Sequence, residues 1–253
     1  MRLQVGTDSL RGDIRAYARR FDLLELFAEK GRLPRIERLR EMRGAVTDEF
    51  VFSVRVGRRL ATLEVGAETE QAKSYALEVA AALGARFLVL QTPHTVMPTA
   101  RVRRRLVELA QELDGDYELA WEPHGLWQDD DAAETAEQMG AVLVRDLSRE
   151  AAPESSILYT RLRALGRSGV SVDGLDRTAL ALAGADEAFV IIEGEGAVRA
   201  AATLRETLKE AFAEDDDADQ DDDEEDEDDS ADAAEGEDEA ADEAADEDED
   251  DSA

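Results

Sequence analysis

Short apolar runs alternate with longer amphipathic stretches through the first 213 residues. The runs predict eight β-strands over residues 3–7, 22–26, 50–54, 87–91, 116–121, 142–144, 157–162 and 188–192. Between them, apolar residues recur at helical spacing, as Leu33, Ile36 and Leu39 do. This spacing predicts helices over residues 13–20, 33–42, 68–83, 99–113, 129–139, 175–182 and 196–212.

The order of these elements predicts the fold class. Most strand runs are apolar with little alternation, which is typical of strands buried on both faces. Strands that alternate with helices indicate a parallel sheet, and eight such units predict closure into an α/β, (β/α)8 TIM-type barrel. Residues 146–156 carry little helical pattern. An open, doubly wound sheet is therefore the alternative architecture.

The negative charge is concentrated at the end of the chain. Residues 214–253 contain 27 Asp and Glu and no Lys or Arg. Subtracting these 27 from the chain's 62 acidic residues leaves 35 against 29 basic residues, so residues 1–213 have a net charge of −6. The terminal segment offers no branched or aromatic apolar side chain to bury, and its charges repel one another. We expect a shortened barrel over residues 1–213 and a disordered acidic tail over residues 214–253.

Composition excludes several kinds of site. The chain has no cysteine, which excludes disulfides, thiolate zinc sites and cysteine nucleophiles. Its two histidines, His94 and His124, do not have a recognised zinc-ligand spacing. No apolar run reaches the roughly 18 residues that span a bilayer, and no apolar signal region opens the sequence. We expect a cytoplasmic protein without a membrane contact, and no cofactor is indicated.

Several strand motifs together resemble one known family. They are Val5-Gly6-Thr7, Phe50-Val51-Phe52-Ser53-Val54-Arg55, Leu90-Gln91-Thr92-Pro93, residues 118–127 and Tyr159-Thr160-Arg161-Leu162. Their order and spacing resemble the YecE-like family, also known as domain of unknown function 72 (DUF72). The resemblance covers residues 3–208 and implies a TIM-type barrel with no settled reaction.

The chain departs from the pattern of that family in the loops. The aromatic loop after the first strand is replaced by Asp8-Ser9-Leu10-Arg11-Gly12. The E-x-R-H motif becomes Glu122-Pro123-His124, and R-L-H-G becomes Arg161-Leu162-Arg163-Ala164. Glu193-Gly194 stands where the family has two asparagines. The chain thus resembles a shortened, divergent member.

Residues at the carboxyl ends of barrel strands converge on one mouth, where we place the candidate site. The catalytic candidates are Glu122, Arg161, Asp146 and His124; Glu25, Arg55, Gln91 and Glu193 are expected to bind a ligand. Glu122 is the candidate acid or base, and the planar fork of Arg161 suits an anionic or carbonyl group. His124 could transfer protons near neutral pH. The structural alternative is that Glu122 and Arg161 pair and close the barrel.

Three other features have competing interpretations. Glu25, Glu122, Asp146 and Glu193 could together hold magnesium, although acids at a barrel mouth usually have other partners. Gly194-Glu195-Gly196 opens the last helix, where many barrels bind phosphate, but its own acids favour a plain turn. The arginines of residues 101–105 fit a solvated helix face. With a net charge of −6 on the barrel, nucleic-acid binding is not expected.

Two functional hypotheses follow. In the first, an enzyme or former enzyme binds a small polar or anionic ligand at the barrel mouth. In the second, a non-catalytic binding or scaffold protein has an eroded site, and its acidic tail contacts basic partners. The tail could also solubilise the protein or bind divalent cations weakly. The altered loops favour the second hypothesis.

Overall fold

The computed structural model describes residues 1–113, 115–163, 169–194 and 196–218 of the chain. The chain divides into two units, Met1–Ala213 and Glu214–Ala253. The strands are β1 (Arg2–Thr7), β2 (Leu23–Ala28), β3 (Val51–Val56), β4 (Phe87–Thr92), β5 (Glu118–Pro123), β6 (Val142–Leu143), β7 (Ile157–Arg163) and β8 (Glu187–Glu193). The helices are α1 (Ile14–Ala18), α2 (Ile36–Gly44), α3 (Arg58–Ala61), α4 (Ala67–Leu83), α5 (Ala100–Glu112), α6 (Asp129–Met139), α7 (Val172–Leu182) and α8 (Ala197–Ala218). No helix among the described residues is long and apolar enough to cross a membrane.

The strands form one parallel sheet that closes on itself. Their order is β6-β5-β4-β3-β2-β1-β8-β7, and every pairing is parallel. A parallel bridge between Arg145, just after β6, and Thr160 of β7 joins the two edges. This contact excludes the open doubly wound sheet and confirms the predicted TIM-type barrel.

The helices follow the predicted pattern, apart from α3 and the end of α8. The four-residue α3 was not predicted, since it is too short to show a helical period. Residues 146–156 form turns and irregular structure instead of a helix, as their weak pattern indicated. Helix α8 continues to Ala218 and so crosses the predicted boundary at residue 214. The rest of the predicted tail, residues 219–253, lies outside the described residues.

The core has two parts, separated by the sheet. One lies between the strands and the surrounding helices and contains the outward side chains of the strands, such as Leu24 and Leu162. The other fills the barrel interior and consists of Leu23, Val51, Phe87, Val89, Ala120, Val144, Tyr159, Phe189 and Ile191. The ring of Phe87 packs edge-on against Tyr159 and Phe189, at centroid distances of 5.1 and 4.7 Å. Aromatic packing therefore closes the lower part of the barrel.

Gly6 marks a close approach of two strands. It pairs with Leu23 of β2, and a Cβ atom at position 6 would lie 1.7 Å from the carbonyl oxygen of Leu23. No rotamer change can relieve a clash with backbone, so β1 and β2 would have to separate.

We therefore expect Gly6→Ala to lower the free energy of unfolding by about 1–3 kcal/mol, the usual cost of overpacking. The control is Gly44→Ala, at the end of α2, where an added Cβ meets no atom within 4 Å. That variant should be neutral or stabilising by up to about 1 kcal/mol. Denaturant unfolding measures both, and equal effects would contradict the packing argument.

Candidate functional site

The candidate site arises from the period-two alternation of the barrel strands. Inward positions are apolar at the lower end of each strand and polar two residues further on. Thus Ala120 is followed inward by Glu122, and Ile191 by Glu193. Four other strands follow the same rule: Leu23 leads to Glu25, Val51 to Ser53 and Arg55, Val89 to Gln91, and Tyr159 to Arg161 and Arg163. A polar layer therefore lies above the aromatic floor.

The side chain of Arg161 is the centre of this layer and is fully buried. Its Nη2 lies 2.5 Å from Oε2 of Glu25, and its Nε lies 2.8 Å from Oε2 of Glu122. Its Nη1 lies 3.0 Å from Oε1 of Glu193. One guanidinium group thereby joins carboxylates from β2, β5 and β8, using the planar fork of donors that only arginine offers.

The next contacts fix Glu25 from below. The hydroxyl of Tyr159 donates to Oε2 of Glu25 at 2.8 Å and lies 2.9 Å from Oγ of Ser53. The other oxygen of Glu25, Oε1, lies 3.4 Å from Nε of Arg55 as an ion pair without hydrogen-bond geometry. The ring of Phe27 lies under the guanidinium of Arg55, 4.9 Å from its centre.

A second set of contacts forms the rim of the mouth. Arg163 pairs through Nη2 with Oε1 of Glu122 and through Nε with Oε2 of Glu193, the latter at 3.4 Å. Nε2 of His124 lies 3.0 Å from Oε1 of Glu122 and 3.2 Å from Nη2 of Arg163. Gln91 donates to Oε2 of Glu122 at 2.9 Å and accepts from Arg55 at 3.1 Å.

Charge and exposure divide this network into a floor and a rim. The carboxylates of Glu25, Glu122 and Glu193 are matched by the guanidinium groups of Arg55, Arg161 and Arg163, so their formal charges cancel. Water does not reach Arg161, whereas Arg163 and His124 expose 31% and 35% of their side chains. Among the described residues of the network, those of the rim are the ones that a ligand can reach.

Electrostatics determine the protonation of Glu122. Burial raises the pKa of its carboxyl group, but the charges of Arg161 and Arg163 and the hydrogen bond from His124 more than offset this effect. The resulting pKa lies well below the usual range, so Glu122 is ionised at neutral pH. It has no proton to donate as a general acid, and such a stable carboxylate is a weak base.

The two buried partners keep their ordinary protonation as well. Burial lowers the pKa of Arg161, but Glu25 and Glu122 reverse this, and the net shift is upward. Burial raises the pKa of Tyr159, and the nearby charge of Glu25 raises it further. Arg161 is therefore a permanent cation, and Tyr159 stays a neutral donor to Glu25.

Of the predicted site residues, the structure brings together Glu25, Arg55, Gln91, Glu122, His124, Arg161 and Glu193. Asp146 does not join them. Its carboxylate accepts from the backbone N–H and hydroxyl of Ser148, at 3.2 and 2.5 Å, and holds the turn after β6. A carboxylate that satisfies a tight turn is not free to act with Arg161, although Oδ2 also lies 3.4 Å from the backbone nitrogen of Arg163.

Sequence reasoning missed Ser53, Tyr159 and Arg163. Their signal was present, because each stands two residues from another inward position of its strand. The apolar residues that might have blocked the mouth have other places: Leu126 is exposed, and Trp127 is buried against Trp121. Charged side chains fill the mouth instead.

The magnesium alternative has no support in this arrangement. Within the part of the chain that the structure describes, no group of three or more His, Asp or Glu side chains is placed to hold a metal ion. The acidic side chains turn toward guanidinium groups, which occupy the space between them.

We expect Arg161→Met to lower the free energy of unfolding by about 3–5 kcal/mol, because the buried carboxylates of Glu25 and Glu122 would lose their main counter-charge. Arg163→Met removes the same side chain type from the exposed rim and should cost clearly less. The double variant Arg161→Met, Glu122→Gln should lose less free energy of unfolding than the sum of the losses of the two single variants, because the two residues interact. Equal costs for the two arginine variants in urea unfolding would contradict the assigned centre.

The low pKa of Glu122 predicts a pH dependence of stability. As pH falls below about 4.3, the unfolded chain binds a proton at Glu122 before the folded chain does. The stabilisation that Glu122 contributes is therefore complete above this pH and is lost as pH falls through the folded-state pKa. Between pH 5 and pH 3, the decrease in the free energy of unfolding should be flatter for Glu122→Gln than for the wild-type protein. A slope unaffected by Glu122→Gln would show that this carboxylate is not stabilised by the fold.

Comparison with known proteins agrees with this architecture. The structure of a DUF72 family protein of Enterococcus faecalis V583 aligns with a TM-score of 0.67 at 16% identity, covering 82% of this chain and 95% of that chain. A DUF72 family protein of Thermotoga maritima MSB8 gives 0.62 at 15% identity, covering 84% and 100%. An L-ribulose 3-epimerase gives 0.59 at 12% identity, covering 86% and 97%. These likenesses show the fold alone.

Family membership rests on the sequence. No curated protein sequence matches the chain. The profile of the family described as "Protein of unknown function DUF72" matches residues 5–224, which is most of the chain. The motifs identified at the ends of the strands lie within this match. The chain therefore belongs to the DUF72 family.

Proposed function

We propose that the barrel binds a small, uncharged or zwitterionic polar molecule at the rim formed by Arg163, His124 and Glu193. The observation that carries this proposal is the partial exposure of a hydrogen-bonding rim above a closed, ion-paired floor. Rigid support from below is what a polar binding site requires, because its donors and acceptors are then held in place before the ligand arrives.

The charge balance of the network favours such a ligand over a free anion. An anion would have to compete with Glu122 and Glu193 for the guanidinium of Arg163. A polyol could instead accept from Arg163 and donate to Glu193 without breaking an ion pair. A ligand that hydrogen-bonds to several rim groups at once is also selected against its analogues. An analogue that lacks one hydroxyl leaves a rim donor or acceptor unpaired, which lowers its affinity.

The proposal assigns no proton transfer to Glu122. The two arginines and His124 stabilise its charged form, so its role is to position Arg161 and Arg163. Nε2 of His124 faces both Glu122 and Arg163 and adds a ring nitrogen to the rim.

The test is a thermal-shift and calorimetric titration of the full chain with L-ribulose, D-xylose and glycine betaine. L-ribulose is chosen because it is the sugar in the name of one structural neighbour. A probe at about 100 times its Kd should stabilise the wild-type protein by about 2.7 kcal/mol. Arg163→Ala should abolish this shift, and Arg40→Ala, which removes an exposed arginine of α2, should retain it. Silence with all three probes, or binding that survives Arg163→Ala, would contradict a polar site at this rim.

A further inference from the structure

A separate cavity lies beside the mouth, between the loop after β1, helix α1 and the first turns of α8. Its volume is about 720 Å³, within the range of small-molecule sites. Thr7, Asp8 and Ser9 line it on one side, and Ala197 and Ala202 line it on the other. None of the ionised groups of the barrel network takes part in its wall.

The cavity has a surplus of positive charge. Arg11, Arg19, Arg20 and Arg199 line it, and among the described lining residues Asp8 alone carries a carboxylate. Among the described residues, none of these four guanidinium groups forms an ion pair, whereas the arginines of the barrel network are all paired. Arginines without a carboxylate partner raise the positive potential of the wall that they line and attract an anion.

The backbone adds to this potential. Helix α8 begins at Ala197 and has no acidic residue in its first turn, so the free N–H groups of that turn keep their partial positive charge. Gly196 precedes it at φ +84°, and an added Cβ there would meet no atom within 4 Å. The carboxylate of Glu193 turns away to Arg161 and Arg163 and is neutralised there. Glu195 lies outside the described residues.

Apolar side chains form part of the cavity wall. Tyr17, Phe21, Ile192 and Ala197 line it and are buried. The hydroxyl of Tyr17 is already engaged with Thr7 and the carbonyl oxygen of Leu23, so the ring presents an apolar surface. A ligand that fills this space needs a compact apolar part as well as its charge.

We propose that this cavity binds a small phosphate monoester, with its phosphate among the arginines and its apolar part against Tyr17 and Phe21. Among the described lining residues, arginines outnumber carboxylates, which suits a dianion. Arginine forks and helix N-terminal N–H groups are both suited to phosphate oxygens. The site is independent of the rim proposed above.

Phenyl phosphate is the probe, titrated calorimetrically into the full chain at constant ionic strength. We expect saturable binding, weakened about ten-fold or more by Arg199→Ala or by Arg11→Ala, each of which removes a charged donor. Ala202→Leu, on the wall of the cavity, should also weaken binding without any change in charge. Arg40→Ala, which removes an exposed arginine of α2 outside both sites, is the control and should bind as the wild type does. Thermal unfolding of each variant confirms that it is folded.

Inorganic phosphate and phenol test the charged and the apolar contacts of the ligand separately. Phosphate should bind more weakly than phenyl phosphate, and phenol should not bind detectably. Absence of phenyl phosphate binding at millimolar concentration would overturn the proposal. So would equal weakening by Arg40→Ala and Arg199→Ala, which would indicate unspecific attraction, or full binding by Ala202→Leu, which would place the ligand elsewhere.

Discussion

The buried guanidinium of Arg161 is the constraint on which the upper half of the barrel depends. Removing a charged group from water costs several kcal/mol, and only well-placed opposite charges offset that cost. Glu25, Glu122 and Glu193 supply them from three strands that are far apart in sequence. The pairing register of β2, β5 and β8 must therefore be correct for the ion to be buried at all. A slip of one residue would turn each carboxylate out of the barrel.

The same constraint explains the layering of the interior. Aromatic side chains fill the lower barrel, where Phe87 contacts both Tyr159 and Phe189. Tyr159 joins the two layers, because its ring packs in the lower one and its hydroxyl donates to Glu25 in the upper one. A tyrosine suits this boundary, since its apolar body and polar tip match the two environments. The apolar floor therefore excludes water from below the network, and the side chain of Arg161 stays fully buried.

Much of this was accessible from the sequence, and the exceptions have physical causes. Buried parallel strands are recognisable as short apolar runs, and helices as apolar residues at helical spacing, so the barrel strands and most helices were predictable. The count of eight strand–helix units also predicted closure into a barrel, and the bridge between Arg145 and Thr160 completes that closure. Strand ends correctly indicated Glu122 and Arg161 as neighbours. Their roles were not predictable, since the pKa of Glu122 depends on its burial and on the charges of Arg161 and Arg163 from β7. Asp146 also ends a strand run, but a local turn to Ser148 uses its carboxylate.

The arginines of the mouth and those of the neighbouring cavity differ in their partners. In the mouth, carboxylates already hold the arginines, so positive charge there is structural and not available to an anion. Around α1 and the start of α8, the arginines have no carboxylate partners among the described residues, and the charge is available. The two regions meet at the end of β8. Its last residue, Glu193, belongs to the network, and the next residue, Gly194, lines the cavity. The fold thus places a charge-balanced rim and an arginine-lined cavity side by side.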